Sequence, residues 1–343
     1  MSALPSTDST YIKLDRHVNL QVAKGFKGEV YVVRNGKIYL NKSYGQKDTT
    51  KRMAYWIASN AKAVTALAIQ KLEEDGKLSI QDRITQYFSN VPADKQHITI
   101  HQLLTHSSGY PQKYVTDNIQ TYQKALEALM SVPIRKEDIG KYEYSNDGYG
   151  VLVLLFEKLS GKTYEEYVAQ RIFKPAKLEY TGFWGYEKEN VIIAPPFDPA
   201  RAAKQLPTMY KEGKSVVNYG QKGPSGVYST AEDQYKIFKA MMDGKIISQA
   251  SLTKGFKPHV PVSQNEEMKT YYAYGWLVGY KGDQLINIRH TGEETWLGHN
   301  AMRIGYPNGD AIVVLSNAHL TKAEDVWAVQ LAYDLEFLLQ KLK

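Results

Sequence analysis

Residues 56–78 read WIASNAKAVTALAIQKLEEDGKL. Apolar residues recur on nearly every side of this run, at Ile57, Ala61, Val64, Leu67, Ala68, Ile69 and Leu72, the pattern of a helix buried all round. One cation, Lys62, stands near its start, three residues after Ser59, and no other residue between Met53 and Gln70 is charged. Residues three apart on a helix share a face. Lysine is almost never fully buried without a partner, and desolvation drives it toward the neutral amine, which can take a proton from a hydroxyl. A serine hydroxyl is a weak nucleophile until a base stands beside it. The helix start adds the positive end of a dipole and free N–H groups suited to an oxyanion. The competing reading is a capping serine with a lysine that reaches to water.

Spelling alone does not choose between them. Ser-x-x-Lys arises roughly once in a chain of this length from ordinary residue frequencies, and Ser251-Leu252-Thr253-Lys254 repeats it.

Outside this stretch, 343 residues suffice for one large domain or two smaller ones. With 43% hydrophobic and 23% charged residues the composition is that of a globular protein. No apolar run reaches membrane-spanning length. The first residues, MSALPSTDSTYIKLDRH, lack the apolar core of a secretory signal. The chain is therefore expected to be either cytoplasmic or a mature form working outside the cytoplasm, the second being favoured. The absence of cysteine excludes disulfides, thiol nucleophiles and cysteine metal sites. The net charge of +7 is concentrated at the start, where residues 1–52 carry ten Lys/Arg against four Asp/Glu. Such a segment could lean on an anionic wall polymer, although a solvated face is the preferred reading. No nucleic-acid motif accompanies it.

Residues 8–24 predict an amphipathic helix, and GEVYVVRNGKIYLNKSYG (28–45) predicts a hairpin turning at Asn35-Gly36. Near the other end YYAYGWLVGY (271–280), QLINIRHTG (284–292), HNAMRIGY (299–306) and DAIVVLSN (310–317) read as four strands, with a second turn at Asn308-Gly309. Residues 322–342 have helical spacing. The middle, about 57–250, is mostly helical. The expected fold is therefore α/β (α+β). An antiparallel sheet is built from both chain ends, 8–58 and 260–343, and flanked by helices; a mostly helical lobe, 59–259, is inserted into it. The cleft between the lobes is the expected place for a site.

Three segments bear on the chemistry: ASNAK (58–62), YEYSNDGYG (142–150) and RHTGEETWLGHNA (289–301). In this order they resemble the serine β-lactamase and penicillin-binding protein family, in the branch around class C β-lactamases and D-stereospecific peptidases and esterases. That family carries Ser-x-x-Lys, then Tyr-x-Asn, then Lys/His-Thr/Ser-Gly. The intervening text, such as LEEDGKLSIQDRITQYF (72–88) and ITIHQLLTHSSGYP (98–111), is also similar in style, so the resemblance covers about residues 25–335. It implies that Ser59 attacks a carbonyl to form an acyl-enzyme, with Lys62 and Tyr144 as the proton-handling pair. Which of these two is the base stays open. Asn146, His290, Thr291 and Gly292 would bind substrate, and the backbone N–H groups of Ser59 and Glu293 would form the oxyanion hole. Gly292 is expected to let substrate lie close to its strand. Ser251 has no third motif after it and is rejected.

Two departures bear on specificity. Ala61 replaces the Thr or Ser common before the lysine. The run after Gly292 is longer and more acidic than usual, so that Glu293, Glu294 and Trp296 are expected to narrow the cleft or repel an anion. His290 in place of lysine is expected to be a weak cation that titrates near neutral pH. The resemblance implies a serine hydrolase of amide bonds beside a D-amino acid, a D,D-carboxypeptidase or D-aminopeptidase. An esterase, including one acting on D-alanyl esters of a wall polymer, a β-lactamase and a non-catalytic binder of peptidoglycan fragments are the alternatives. No cofactor or metal is called for: His97, His101 and His106 read as structural. Glu73-Glu74 and Glu165-Glu166 read as solvated faces, and Tyr110, Tyr149, Tyr228 and Tyr271 as candidates to line the cleft.

Overall fold

The computed structural model describes residues 8–46, 51–198, 210–211, 214–215, 218–295, 297–318 and 326–341. Helix α1, Ser9–Val22, starts where Asp8 Oδ1 accepts from Thr10 N (2.8 Å) and Tyr11 N (3.0 Å), satisfying two donors that a helix start leaves orphaned. Strands β1 (Gly28–Arg34) and β2 (Lys37–Tyr44) follow. They join through Asn35 and Gly36, whose φ of 51° and 71° are the consecutive positive values that a tight hairpin turn demands.

The remaining strands of the main sheet come from the other end of the chain. They are β3 (Val260–Gln264), β4 (Lys269–Tyr272), β5 (Leu277–Lys281), β6 (Gln284–Glu294), β7 (His299–Gly305) and β8 (Ala311–Ser316). The eight form one sheet in the order β2-β1-β8-β7-β6-β5-β4-β3, every neighbour antiparallel. YYAYGWLVGY is not one strand but two, broken near Gly275, where φ is 75°. The edge strand β3 was not legible at all, since Pro261 sits inside it.

Side-chain alternation sorts this sheet between two cores. Val30, Val32, Met302, Ile304, Ile312 and Val314 face α1 and the C-terminal helix, while Tyr31, Val33, Ala301, Val313 and Leu315 face the helical side. Because both faces are covered, β1, β7 and β8 are buried along nearly their whole length. The C-terminal helix spans Trp327–Lys341; its expected start at Lys322 lies outside the described residues.

On the helical side lie α2 (Ala61–Glu74), α3 (Asn146–Ser160) and α4 (Ala231–Met242). Every residue of α2 from Ala61 to Gln70 is buried, as the all-round apolar pattern predicts. It packs on α3, and the turn ahead of it packs on β6. Helix α4 belongs with the sheet: it lies on β1 and β8, with Tyr235 stacked on Tyr31 at 5.1 Å between ring centroids. A second, four-stranded sheet joins Arg52–Trp56 to Val191–Ile193, Gly182–Phe183 and Val227–Ser229. These strands are too short to carry a periodic signal. One hydrophobic core runs from the inner face of the main sheet through the helices.

Candidate active site

The strand Arg52–Trp56 delivers the chain to Ser59. Its end is fixed by a buried bond from Trp56 N to His299 Nδ1 (3.0 Å). Ala58 then takes φ 45°, and a single 3₁₀ turn, Ala58–Asn60, leads into α2. A non-glycine residue in this left-handed region costs about 1–2 kcal/mol, so the surroundings hold the bend that puts Ser59 ahead of the helix rather than inside it. Lys62 is 0% exposed. Its Nζ lies 3.2 Å from Ser59 Oγ, 2.6 Å from Asn146 Oδ1 and 3.0 Å from the carbonyl oxygen of Pro224. Burial holds the amine well below its ordinary pKa.

Tyr144 enters from the loop before α3. The middle residue of Tyr-Ser-Asn is the rivet: Ser145 Oγ caps α3 by accepting from Gly148 N (3.1 Å) and donates to Pro111 O (3.1 Å), while Ser145 N donates to His106 Nδ1 (3.1 Å). Tyr144 OH donates to Ser59 Oγ at 2.7 Å. Burial raises this phenol well above its ordinary pKa. The ring of His106 lies 4.3 Å from that of Tyr144, so this histidine is indeed structural, and the structure it maintains is the tyrosine's placement. His101 bonds instead to Tyr274 OH (2.9 Å).

The third motif lies on β6, and the charge expected of its histidine changes. His290 is 3% exposed, with Nδ1 donating to the carbonyl of Thr291 (2.6 Å) and Nε2 accepting from Tyr272 OH (3.0 Å). Burial pushes its pKa down to about 3, so it is neutral at physiological pH and not the weak cation expected. Gly292 makes a close approach within the protein itself: a Cβ there would stand 2.0 Å from the carbonyl oxygen of Ile57. Only a bare backbone lets β6 lie against the turn that holds the serine. Asn60, 1% exposed, ties the same seam. In the amide orientation that satisfies both its atoms, Nδ2 donates to His290 O (3.1 Å) and Oδ1 accepts from Gly292 N (3.3 Å). The sequence held Asn60 in plain view, but a neutral amide after the serine carries no chemical flag.

Ser59, Asn146 and Glu293 line one cavity of about 150 Å³, together with Tyr114, Asp117 and Gln221. Thr291 is exposed beside it, Glu294 and Thr295 complete its rim, and Trp296 lies outside the described residues. The cleft tyrosine is therefore Tyr114. Tyr110 and Tyr149 are buried and donate to the carbonyls of Leu129 (3.0 Å) and Leu104 (3.0 Å), Tyr228 OH accepts from Lys188 N (2.8 Å), and Tyr271 packs on Tyr280. Two larger cavities, of about 450 and 630 Å³, lie against Tyr306 and Leu339 and against Phe173 and Phe183, and neither is lined by Ser59.

The second Ser-x-x-Lys is occupied by carboxylates. Ser251 Oγ donates to Glu74 (2.7 Å), and Lys254 Nζ donates to both oxygens of Glu73 (2.7 and 2.8 Å). Glu73 and Glu74 are thus anchors, also taking Ile80 N and Ser248 N, and not a free solvated face. Of the other pair only Glu166 is exposed; Glu165 is buried against Lys222 (3.2 Å).

Similarity to known proteins agrees with this constellation. The Beta-lactamase family model matches residues 16–333. PbpX of Bacillus subtilis strain 168, named for penicillin binding, is 33% identical over 241 residues, which is 68% of this chain and 59% of PbpX. Penicillin-binding protein 4* of the same organism is 27% identical over 314 residues, 85% of this chain and 68% of its own length. In three dimensions the D-amino acid amidase of Ochrobactrum anthropi SV3, solved with D-phenylalanine, superposes with a TM-score of 0.76 at 19% identity, covering 98% of this chain and 100% of that one. The chain shares its fold with that amidase, and the family match over most of its length shows that it belongs to the Beta-lactamase family.

Proposed function

We propose that the protein is a serine hydrolase that forms an acyl-enzyme on Ser59 and cleaves an amide or peptide bond next to a D-amino acid. The observation that carries this reading is the pair of buried proton-handling groups, Lys62 and Tyr144, both within hydrogen-bond reach of one hydroxyl. The D-configuration is supported by the amidase whose fold it shares and by relatives named for binding penicillin.

The hydrogen bonds around Ser59 support a division of roles. Burial favours the neutral amine; in that form Lys62 gives its two N–H donors to Asn146 Oδ1 and the Pro224 carbonyl and turns its lone pair to the proton of Ser59. Tyr144, a phenol held far above its ordinary pKa, donates to Ser59 Oγ and is the relay rather than the base. Ser59 Oγ attacks the carbonyl carbon and its proton passes to Lys62. The oxyanion is met by the N–H groups of Ser59 and Glu293. The proton then travels through Tyr144 to the leaving nitrogen as the C–N bond breaks, and water hydrolyses the ester.

Intact-mass analysis after incubation with a penicillin tests the reading. An adduct that maps to Ser59 and is absent in Ser59→Ala is expected. An adduct of equal yield in Ser59→Ala would overturn the assignment of the nucleophile.

A further inference from the structure

We propose that Lys222 is a positioning residue for the acyl transfer: held between two carboxylates, it fixes the segment whose Pro224 carbonyl aims the amine of Lys62 at Ser59. This rests on the acyl-transfer reading above and adds a residue on which the same site depends. The segment reads Gly220-Gln221-Lys222-Gly223-Pro224-Ser225-Gly226. Its three glycines make it costly to order. Yet it supplies one of the acceptors of Lys62, and its Gln221 and Ser225 line the cavity beside Ser59. Two helices set its backbone. Gly223, at φ 86°, lies on α3, where a Cβ would stand 2.3 Å from Val153 Cγ2. Toward α2, Gly223 O accepts from Thr65 Oγ1 (2.8 Å) and Pro224 O from Lys62 Nζ (3.0 Å). Lys62 and Thr65 share a helix face, so two consecutive carbonyls register the segment on α2.

A buried charge anchors the segment there. Lys222 is 8% exposed, and its Nζ lies 2.9 Å from Glu157 Oε1, on α3, and 3.2 Å from Glu165 Oε2, on the short helix Tyr164–Val168. Glu157 also accepts from Tyr164 N (3.0 Å) and Tyr219 OH (2.8 Å), and the amine sits 4.7 Å from the centre of the Tyr219 ring. Burial works against the charge of Lys222, but Glu165 and Glu157 raise its pKa above the ordinary value. Tyr164 OH closes the ring of contacts, 2.9 Å from Thr65 Oγ1. The path from Lys62 thus runs through Pro224, Lys222, the two acids and Tyr164 back to Thr65 on its own helix.

Ions taken out of water gain little net stability from their attraction, because desolvation consumes it, whereas breaking such a cluster is costly. What the cluster provides here is a fixed distance between the two helices and the glycine-rich segment. Lys222 does not line the cavity beside Ser59 and acts through the backbone two residues on. A neutral amine has one lone pair, and its acceptors at Asn146 and Pro224 decide where that lone pair points. With the Pro224 carbonyl displaced, Lys62 keeps Asn146 but loses one of the two directions that turn it toward Ser59. A misplacement of about 1 Å in a reacting group costs on the order of 10²-fold in rate.

The test follows the Ser59 adduct of benzylpenicillin by intact mass against time and takes the rate constant from the approach to the final adduct, so that unfolded protein does not enter the value. Lys222→Met should lower this constant about tenfold or more. Arg171→Gln is the control. It breaks another ion pair of the helical lobe, to Asp75 (2.7 Å), and should leave the constant within about twofold. Should Lys222→Met acylate at the wild-type rate, or Arg171→Gln slow as much, Lys222 has no positioning role and the acyl-transfer reading stands. If the wild type forms no adduct on Ser59, the underlying reading falls and takes the role of Lys222 with it. If Lys222→Met does not fold, Glu157→Gln decides, since it keeps the side chain's shape and an oxygen for Tyr164 N while removing a charge. It should slow acylation about threefold or more, and a wild-type rate would overturn the proposal.

Discussion

Two quartets in this chain share a spelling, Ser59 to Lys62 and Ser251 to Lys254, and the difference between them is where each lysine finds its counter-charge. Lys254 is partly exposed and forms an ion pair with Glu73, and Ser251 donates its hydroxyl proton to Glu74. Lys62 is enclosed entirely and meets only neutral partners: an amide oxygen, a backbone carbonyl and the serine. A buried amine without a carboxylate relieves the cost of desolvation by giving up its proton. A salt bridge at the first site would keep the lysine protonated and remove the base. On the proposed mechanism the apolar helix around Lys62 is thus part of the chemistry.

The sharpest way to break this comparison is to delete each serine. Ser59→Ala should lower the rate of acylation by about 10⁴-fold or more, on the scale of nucleophile deletions in other serine hydrolases. Ser251→Ala should leave turnover within about twofold and cost no more than a hydrogen bond to a charged group, about 1.5–3 kcal/mol. Steady-state rates on any hydrolysed amide, with melting curves for both variants, measure this. A comparable loss of turnover in both would end the distinction.

Removing each lysine comes next in size. Lys62→Ala should reduce acylation by about 10²–10⁴-fold, the range of a general base. It should leave no unpaired carboxylate behind, because Lys62 meets no acidic partner. Lys254→Ala frees Glu73 from a partly exposed pair and should cost about 0–1 kcal/mol with no effect on rate. Single-turnover acylation separates the two. A Lys62→Ala enzyme acylating at the native rate would transfer the role of base to Tyr144.

How much of this the sequence disclosed depends on which residues advertise themselves. Ser59, Lys62, Tyr144 and Asn146 were legible because their order along the chain is a family signature and because a lone cation in an apolar helix is conspicuous. The sheet was legible from its two ends, where the Asn35-Gly36 and Asn308-Gly309 turns punctuate apolar strands. The groups that aim the nucleophile were not. Ala58 at φ 45°, Asn60 across the seam to β6 and His106 beneath Tyr144 are ordinary residue types whose roles exist only through contacts far apart in sequence. His290 was located correctly and misjudged in charge, since spacing reveals position and only packing reveals solvation.

That last case gives the smallest effect and extends the contrast between the two quartets to pH. A site that excludes charge should resist protonation, whereas one built on exposed ion pairs should not. His290 has a folded pKa of about 3 against about 6.5 in an unfolded chain. Above 6.5 both states are neutral and its contribution is fully present. As the pH falls below 6.5 the unfolded chain takes up the proton and the folded one does not, so stability is lost progressively down to about 3. At 1.36 kcal/mol per unit, the loss between pH 6.5 and 5 is about 2 kcal/mol. Asp117 and Asp147 act with the opposite sign: their raised pKa values add stability as pH falls from about 6 toward 4. The total pH profile therefore conceals each contribution, and the measurement must be a difference. Denaturant unfolding of the wild type and His290→Gln at pH 7 and pH 5 should show the wild type losing about 2 kcal/mol more than the variant, because glutamine cannot titrate and both proteins keep the acids. Equal losses would mean that His290 is solvated enough to carry a proton, and with it that the wall beside Ser59 can present a cation after all.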